Sequence, residues 1–339
     1  MSSALSLERR VLRFWYGKSI LAILLQPAAY IFQAMVALRR GAYRLGLLSQ
    51  EVISVPVVVI GNITVGGTGK TPLVAWLARQ LREAGYRPGI VSRGYGGRAN
   101  RQALMVNQAG NVAEVGDEAL VLARQTQAPI CICTDRVAAA RHLLAKADVD
   151  IVIADDGLQH YRLGRDLEIA VLDGDRMLGN GRLLPAGPLR ESSDRLREVD
   201  LVFIHGAADP RSGDTFRLVP ADAIELQTST ARALGEFRGT RVWAVAGIGH
   251  PERFYRMLES FDIEPIKVDV PDHGAVSLKA LRQKEACPIL MTEKDAVKYL
   301  ADPVADAWYV PVVVDISDQA KSAVMKRIQE IMEHRMTSD

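Results

Sequence analysis

Val55-Pro56-Val57-Val58-Val59-Ile60-Gly61-Asn62-Ile63-Thr64-Val65-Gly66-Gly67-Thr68-Gly69-Lys70-Thr71-Pro72 is the stretch that decides the fold. Its opening residues are apolar and mostly β-branched, the pattern of a parallel strand buried on both faces. Its end runs into a helix-forming stretch, Pro72 to Glu83, and proline suits a first helical turn, where a missing N–H costs nothing. A strand, a glycine loop ending in Gly-Lys-Thr and then a helix form the context of a phosphate-binding loop. The expected nucleotide-binding residues are Thr64, Val65, Gly66, Gly67, Thr68, Gly69, Lys70 and Thr71. Backbone N–H groups there turn inward on phosphates at the positive end of the helix. Lys70 would reach the β- and γ-phosphates, and the Thr71 hydroxyl would bind Mg²⁺. Thr64 stands where the usual loop has its first glycine. A glycine-rich turn without a ligand is the alternative, and the bracketing strand and helix argue against it.

Working outward, the run Ile151-Val152-Ile153-Ala154 ends in Asp155-Asp156-Gly157. An aspartate at the carboxyl end of a buried strand can reach a phosphate-bound Mg²⁺ from the sheet edge, although Asp-Gly after a strand is often only a turn. Val91-Ser92-Arg93-Gly94-Tyr95-Gly96-Gly97 reads as a second glycine-rich loop at a strand end. Gly116-Asp117-Glu118 precedes Ala119 to Arg124 and puts two carboxylates at a helix start, where capping alone would explain them. Leu167 to Asp173 and Asp200 to Ile204 supply further strands. Between them, residues 174–191 carry four glycines and two prolines and no period. A loop of that length in a compact domain is usually functional. Its Arg176, Arg182 and Arg190 lie among Met177, Leu178, Leu183, Leu184 and Leu189, a mixture suited to an anionic, greasy acceptor.

From about Asp209 to Gly239 the chain is irregular and polar, as an inter-domain connection would be. A second α/β unit follows. Val242 to Ala246, Ile266 to Val270, Pro288 to Met291 and Trp308 to Val314 read as strands, Glu252 to Phe261 and Ser317 to Arg335 as helices. Gly247-Ile248-Gly249-His250-Pro251 reads as a tight strand-to-helix turn rather than a second nucleotide site. Thr292-Glu293-Lys294-Asp295 invites comparison with the guanine-reading Asn/Thr-Lys-x-Asp, but its lysine is displaced by one position, so nothing selects GTP. The fold class is therefore α/β, a P-loop NTPase-like core followed by a smaller α/β domain. The expected division is a helical segment over 1–45, the nucleotide core over 46–215, and linker plus smaller domain over 216–339.

Composition sets the outer bounds. Lys and Arg number 42 against 40 Asp and Glu in 339 residues, which gives no case for a nucleic-acid partner. The apolar fraction is 48% and the charged fraction 24%, ordinary for a globular chain. Cys131 and Cys133, two apart in an apolar run, share one strand face as small hydrophobes, and with Cys287 they suit a reducing cytosol. One segment departs from the average: Ser19 to Leu38 holds twenty residues without a charge. Twenty residues at about 1.5 Å rise reach about 30 Å, enough to cross a bilayer. Arg9, Arg10, Arg13 and Lys18 before it would then be carried across, against the positive-inside tendency. Pro27 would kink the helix, and Gln26, Tyr30 and Gln33 make a narrow polar stripe. A kinked helix lying in the interface is favoured over a span or a helix buried in the protein.

Seven blocks in this order resemble the bacterial tetraacyldisaccharide 4'-kinase family over nearly the whole chain. They are Gly61 to Pro72, Ser92 to Tyr95, Gly116 to Glu118, Asp155 to His160, Leu183 to Glu191, Asp272-His273 and Thr292 to Lys298. The substituted first glycine is itself a family habit. The resemblance implies transfer of the ATP γ-phosphate to the 4'-hydroxyl of an acylated glucosamine disaccharide 1-phosphate, giving the 1,4'-bis-phosphate. It implies two α/β/α sandwich domains with the site between them, and work at the cytoplasmic face of the Gram-negative inner membrane as a peripheral or monotopic protein. No obligate protein partner is implied. Asp117 and His273 then look like the pair that activates the sugar hydroxyl, with Lys70 on the phosphates. Thr71, Glu118 and Asp155 look like the Mg²⁺ side, and Arg93, Tyr95, Asp156, Gln159, His160 and Arg190 like the acceptor side. The rival reading is a P-loop switch or accessory ATPase of the membrane surface. Such proteins often carry a lysine just before the paired glycines, where this chain has Val65.

Overall fold

The phosphate-loop strand, β1 (Val57–Gly61), is buried along its length and lies near the middle of a nine-stranded sheet. The structure is a computed structural model that describes residues 14–17, 20–97, 102–206, 214–271 and 274–338. β1 pairs in parallel with β5 (Ile151–Asp155) on one side and β6 (Leu167–Asp173) on the other. Beyond β5 lie β2 (Pro88–Ser92), β4 (Ile130–Ile132) and the short β3 (Leu104–Met105); beyond β6 lie β7 (Leu201–His205), β8 (Asp214–Pro220) and β15 (Val312–Ile316). Only the two edge strands, β3 and β15, run antiparallel to their neighbours.

The two faces of this sheet are covered by different helices, because alternate residues of a strand point to opposite faces. On one face α3 (Lys70–Glu83) buries Leu73, Val74, Leu77 and Leu81, beside α5 (Asp117–Thr126) and the last helix α10 (Asp318–Ser338) with Val324 and Ile328. On the other, α6 (Arg136–Lys146) packs Val137, Ala140 and Leu143 on Val57, Val59 and Val152. The short α4 (Val112–Val115) leads into α5.

The second sheet has the order β10-β9-β14-β13-β11-β12. Its parallel strands are β11 (Arg241–Val245), β12 (Glu264–Val268), β13 (Ile289–Thr292) and β14 (Ala307–Val310), with β9 (Ala223–Glu225) and β10 (Ala231–Arg232) antiparallel at one side. α7 (Pro251–Ser260) covers one face, and α8 (Leu278–Lys284) with α9 (Glu293–Ala296) the other. Both lobes are thus α/β/α sandwiches, in line with the expected fold class.

Two expectations need correction. Residues 214–220 fall in the stretch read as an irregular connection, yet they form β8 of the first sheet. Trp308 to Val314 was expected to be one strand but is two, in different sheets. Pro311, which has no N–H for a ladder and a fixed φ, separates β14 from β15, and its carbonyl accepts the Ala221 N–H at 2.9 Å. The boundary expected at residue 215 therefore cuts through β8, and residues 312–338 return to the first lobe.

At the amino end, α1 (Ile20–Leu24) and α2 (Gln26–Arg44) break at Leu25, two residues before Pro27. On the face turned to the protein Ala22 and Ala29 are buried and Leu25, Gln26, Phe32 and Val36 partly so. The outward face is apolar: Ile20, Leu24, Ile31 and Leu38 are each more than 60% exposed. Gln26 turns inward to accept from the Arg182 guanidinium, whereas Tyr30 and Gln33 are exposed. Among the described residues no helix is long and apolar enough to cross a membrane. Arg9, Arg10, Arg13 and Lys18 lie outside the described residues.

Candidate active site

The turn from β1 into α3 is held open by its own side chains. Gly66 and Gly69 adopt φ of 111° and 91°, values that favour glycine. A Cβ on Gly69 would also lie 2.9 Å from the His205 ring nitrogen. Buried Asn62 spans the loop, its amide donating to the Gly66 carbonyl at 3.3 Å and to Thr64 Oγ1 at 3.5 Å. Residues 188–190 staple the loop from outside, where the Val65 N–H donates to the Pro188 carbonyl at 2.9 Å and the Arg190 N–H to the Ile63 carbonyl at 2.7 Å. The long loop and the phosphate loop are therefore one piece of structure. Lys70 and Thr71 open α3 at its amino end.

Lys70 Nζ lies 3.6 Å from Asp156 Oδ1, and Arg190 Nη1 donates to Asp156 Oδ2 at 3.1 Å. Burial opposes the Asp156 charge, but Lys70, Arg190 and Arg136 outweigh it and hold the carboxyl below the usual range. Gln159 joins the same cluster, donating to the Asn62 carbonyl at 3.1 Å and to Glu191 Oε1 at 2.6 Å while its oxygen faces Arg190 at 3.4 Å. Glu191 is itself buried and accepts from the Tyr161 hydroxyl.

Asp155 has the opposite environment. It is fully enclosed at the end of β5; burial, then Glu118 and Asp156, pushes its carboxyl up to about 7. Ser92 Oγ donates to its Oδ2 at 3.2 Å, whereas its buried Oδ1 has no hydrogen-bond partner. Thr68 Oγ1 is likewise buried and unpartnered. Two orphaned oxygens at a phosphate loop, one of them on a buried carboxylate, fit a hard cation carried by a triphosphate. Among the described residues no three His, Cys, Asp or Glu side chains gather as a metal cage.

Asp117 is 2% exposed in the first turn of α5, where its Oδ1 accepts the Glu118 N–H at 2.8 Å. Gly116, at φ 85°, lets this turn pack against the Tyr95 backbone, since a Cβ there would meet the Tyr95 carbonyl at 2.2 Å. The smaller lobe supplies the cations opposite: Lys298 Nζ at 3.9 Å from Asp117 Oδ2, and Lys294 Nζ at 3.1 Å from Glu118 Oε1. Lys298 also pairs with buried Asp295 at 2.8 Å and donates to the Gly274 carbonyl at 2.8 Å. The Thr292-Glu293-Lys294-Asp295 segment that fails as a guanine reader is thus the docking edge of the second lobe.

Of the residues expected at the site, Lys70, Asp156, Gln159 and Arg190 are brought into one contact cluster. Asp155 and Glu118 interact through their charges. Arg93 and Tyr95 are exposed at the rim, and burial, then Arg136 and Arg93, presses the His160 pKa down to about 4, leaving that ring neutral. His273 lies outside the described residues. Asn62, Arg136, Glu191, Lys294 and Lys298 were not singled out; the first and the last three sit inside the motif blocks, which was their only signal. Arg136 is buried under Asp155 and donates to the carbonyls of Cys133 at 2.7 Å and Asp155 at 3.4 Å.

Comparison with known proteins agrees with this geometry. Residues 21–329 match the model of the tetraacyldisaccharide-1-P 4'-kinase family. The tetraacyldisaccharide 4'-kinase of Nitrosococcus oceani is 44% identical over 96% of both chains. That of Alkalilimnicola ehrlichii is 51% identical over 85% of this chain and 87% of its own. A crystal structure of LpxK from Aquifex aeolicus in complex with ATP superposes with a TM-score of 0.75 at 26% identity, covering 92% of this chain and all of that one. With a match over most of its length and relatives this close, the chain belongs to the tetraacyldisaccharide-1-P 4'-kinase family.

Proposed function

We infer that the chain works as its family does: it is an ATP-dependent kinase that phosphorylates the 4'-hydroxyl of a tetraacyldisaccharide 1-phosphate. The observation that carries the assignment of residues is the pair of orphaned oxygens, Thr68 Oγ1 and Asp155 Oδ1, beside the loop that bears Lys70. Lys70 and the amides of residues 64–71 bind the β- and γ-phosphates and offset the charge that develops there. Thr71, Asp155 and Glu118 are the oxygen donors for Mg²⁺, which when bound would neutralise phosphate charge. Lys70 is tied to Asp156 in this structure, so a triphosphate must draw it away from that carboxylate.

Asp117 takes the proton of the acceptor hydroxyl, with His273 as its partner, and Lys298 compensates the charge of that enclosed carboxylate. Arg190, Gln159 and Asp156 orient the sugar end of the acceptor, with Arg93, Tyr95 and neutral His160 at the rim. The amino-terminal helices lie in the cytoplasmic membrane interface. Their outward face exposes Ile20, Leu24, Ile31, Met35 and Leu38, and that exposure is what supports the placement. Arg182 connects them to the acceptor loop through the Ala22 carbonyl at 3.2 Å and through Gln26, so an acceptor drawn from the bilayer meets the loop directly. Chromatography of radiolabelled product from γ-labelled ATP and the disaccharide 1-phosphate tests the assignment. A labelled bis-phosphate that depends on Mg²⁺ is expected, and label appearing only as inorganic phosphate would leave an ATPase.

A further inference from the structure

On the side of the phosphate loop away from Asp155, the carboxyl ends of β6 and β7 present Asp173 and His205. Neither belongs to the family blocks or to the expected site. Both are met by one side chain of the smaller lobe, Arg253, in the first turn of α7. Its Nη2 donates to Asp173 Oδ1 at 2.7 Å and to Asp175 Oδ2 at 2.8 Å, its Nε to Asp175 at 3.0 Å, and its Nη1 lies 2.9 Å from His205 Nδ1. His205 in turn is wedged against Gly69, stacked at 5.1 Å on Phe216, and hydrogen-bonded to the Thr68 backbone. The same edge brings Gly249 against Gly67, where a Cβ on Gly249 would be 3.1 Å from the Gly67 nitrogen, while Arg176 donates to the Gly249 carbonyl at 2.9 Å.

We propose that Arg253 is a positioning residue for phosphoryl transfer, holding His205 against Thr68 and Gly69 and neutralising Asp173, so that the loop has its triphosphate-binding shape only when the smaller lobe is docked. Two physical reasons support the role. Asp173 is 2% exposed and its Oδ2 has no hydrogen-bond partner, so without Arg253 a buried anion would stand behind a site that must accept an anion. The guanidinium fork satisfies Asp173, Asp175 and the His205 ring at once, which a lysine ammonium, a single point charge, cannot do. In this role Arg253 acts through the loop, by way of Asp173, Asp175 and His205, and not on the reacting groups.

The proposal rests on reading residues 61–71 as the triphosphate loop, and the test separates the two. Binding of MgATP and of a non-hydrolysable ATP analogue is measured by calorimetry on the full-length protein, with KM values for ATP and acceptor. The variants are Arg253→Lys, Lys70→Ala and, as a control on the outer face of the same helix, Glu252→Gln. Arg253→Lys should weaken ATP binding about tenfold or more, the effect of losing charged hydrogen bonds, with the acceptor KM unchanged. Glu252→Gln should bind as the wild type. ATP binding by Arg253→Lys within about twofold of wild type, with Lys70→Ala impaired, overturns the role of Arg253 alone. Unimpaired binding by Lys70→Ala overturns the loop assignment itself. A fall in melting temperature with ATP affinity unchanged makes Arg253 merely structural. Should Arg253→Lys fail to fold, His205→Gln reads the same contact from the larger lobe and should weaken ATP binding in the same direction; unchanged binding overturns the proposal.

Discussion

Replacing Asp155 with asparagine should make the ligand-free protein more stable while abolishing phosphoryl transfer. The carboxyl ionises near 3.8 in an unfolded chain and at about 7 in the fold, because burial and the neighbouring Glu118 and Asp156 oppose its charge. Between those values the unfolded chain gives up the proton first, so stability falls as pH rises from about 4 to about 7. At about 1.4 kcal/mol per unit, the cost is about 2 kcal/mol at pH 5 and about 4 kcal/mol at pH 8. Asparagine has nearly the same shape, can keep the contact with Ser92 and carries no charge. Its advantage over aspartate should therefore grow by about 2 to 3 kcal/mol between the two pH values. With about 2.1 cal/mol/K of unfolding entropy per residue, that is roughly 4 °C of melting temperature. Scanning calorimetry at pH 5 and pH 8, with divalent ions chelated, measures it. MgATP should reverse the order at pH 8, since the cation adds countercharge beside the carboxylate. A mutant whose difference from wild type is the same at both pH values would refute the reasoning.

Three further outcomes are expected. Asp117→Ala and His273→Ala should each lower kcat by about 10²-fold or more, and the double mutant should be little worse than the worse single; additive losses in the steady-state cycle would separate the two residues. A chain starting at Val52 should keep its ATP affinity and lose efficiency on acceptor embedded in a bilayer, while high salt should release little full-length protein from anionic vesicles. Loss of ATP binding on that truncation would make the helices part of the core. Lys298→Met should cost about 3 kcal/mol by leaving buried Asp295 without its cation, and should lower kcat through Asp117; a normal kcat in the folded mutant would detach Lys298 from the chemistry.

What could be read from the sequence was what is local. β1, its loop and α3 lie on consecutive residues, β5 is buried throughout and β6 at all but Glu168, so pattern and structure coincide there. β8 escaped notice because only Phe216 of it is buried, and its partner β15 comes almost a hundred residues later. Lys70, Asp155 and Asp156 were legible as strand-end chemistry. The cations from the second lobe were not: Lys294 meets Glu118 and Arg253 meets Asp173 across 176 and 80 residues, and no periodicity records such pairings. Asp117 looked like a helix cap and does bond the next N–H; only its enclosure and the facing lysine distinguish it.

The return of the chain to the first sheet has a consequence for biosynthesis. α10 places Ala320, Val324 and Ile328 in the same core as α3, and Arg335 pairs with Asp166 at 2.8 Å. The lobe begun first at the ribosome is thus the one completed last. Until the final helix emerges, the core it shares with α3 remains partly uncovered, whereas every strand of the smaller lobe is already synthesised by residue 310. Non-local contacts of this kind are slow to form and leave apolar surface exposed while they are awaited.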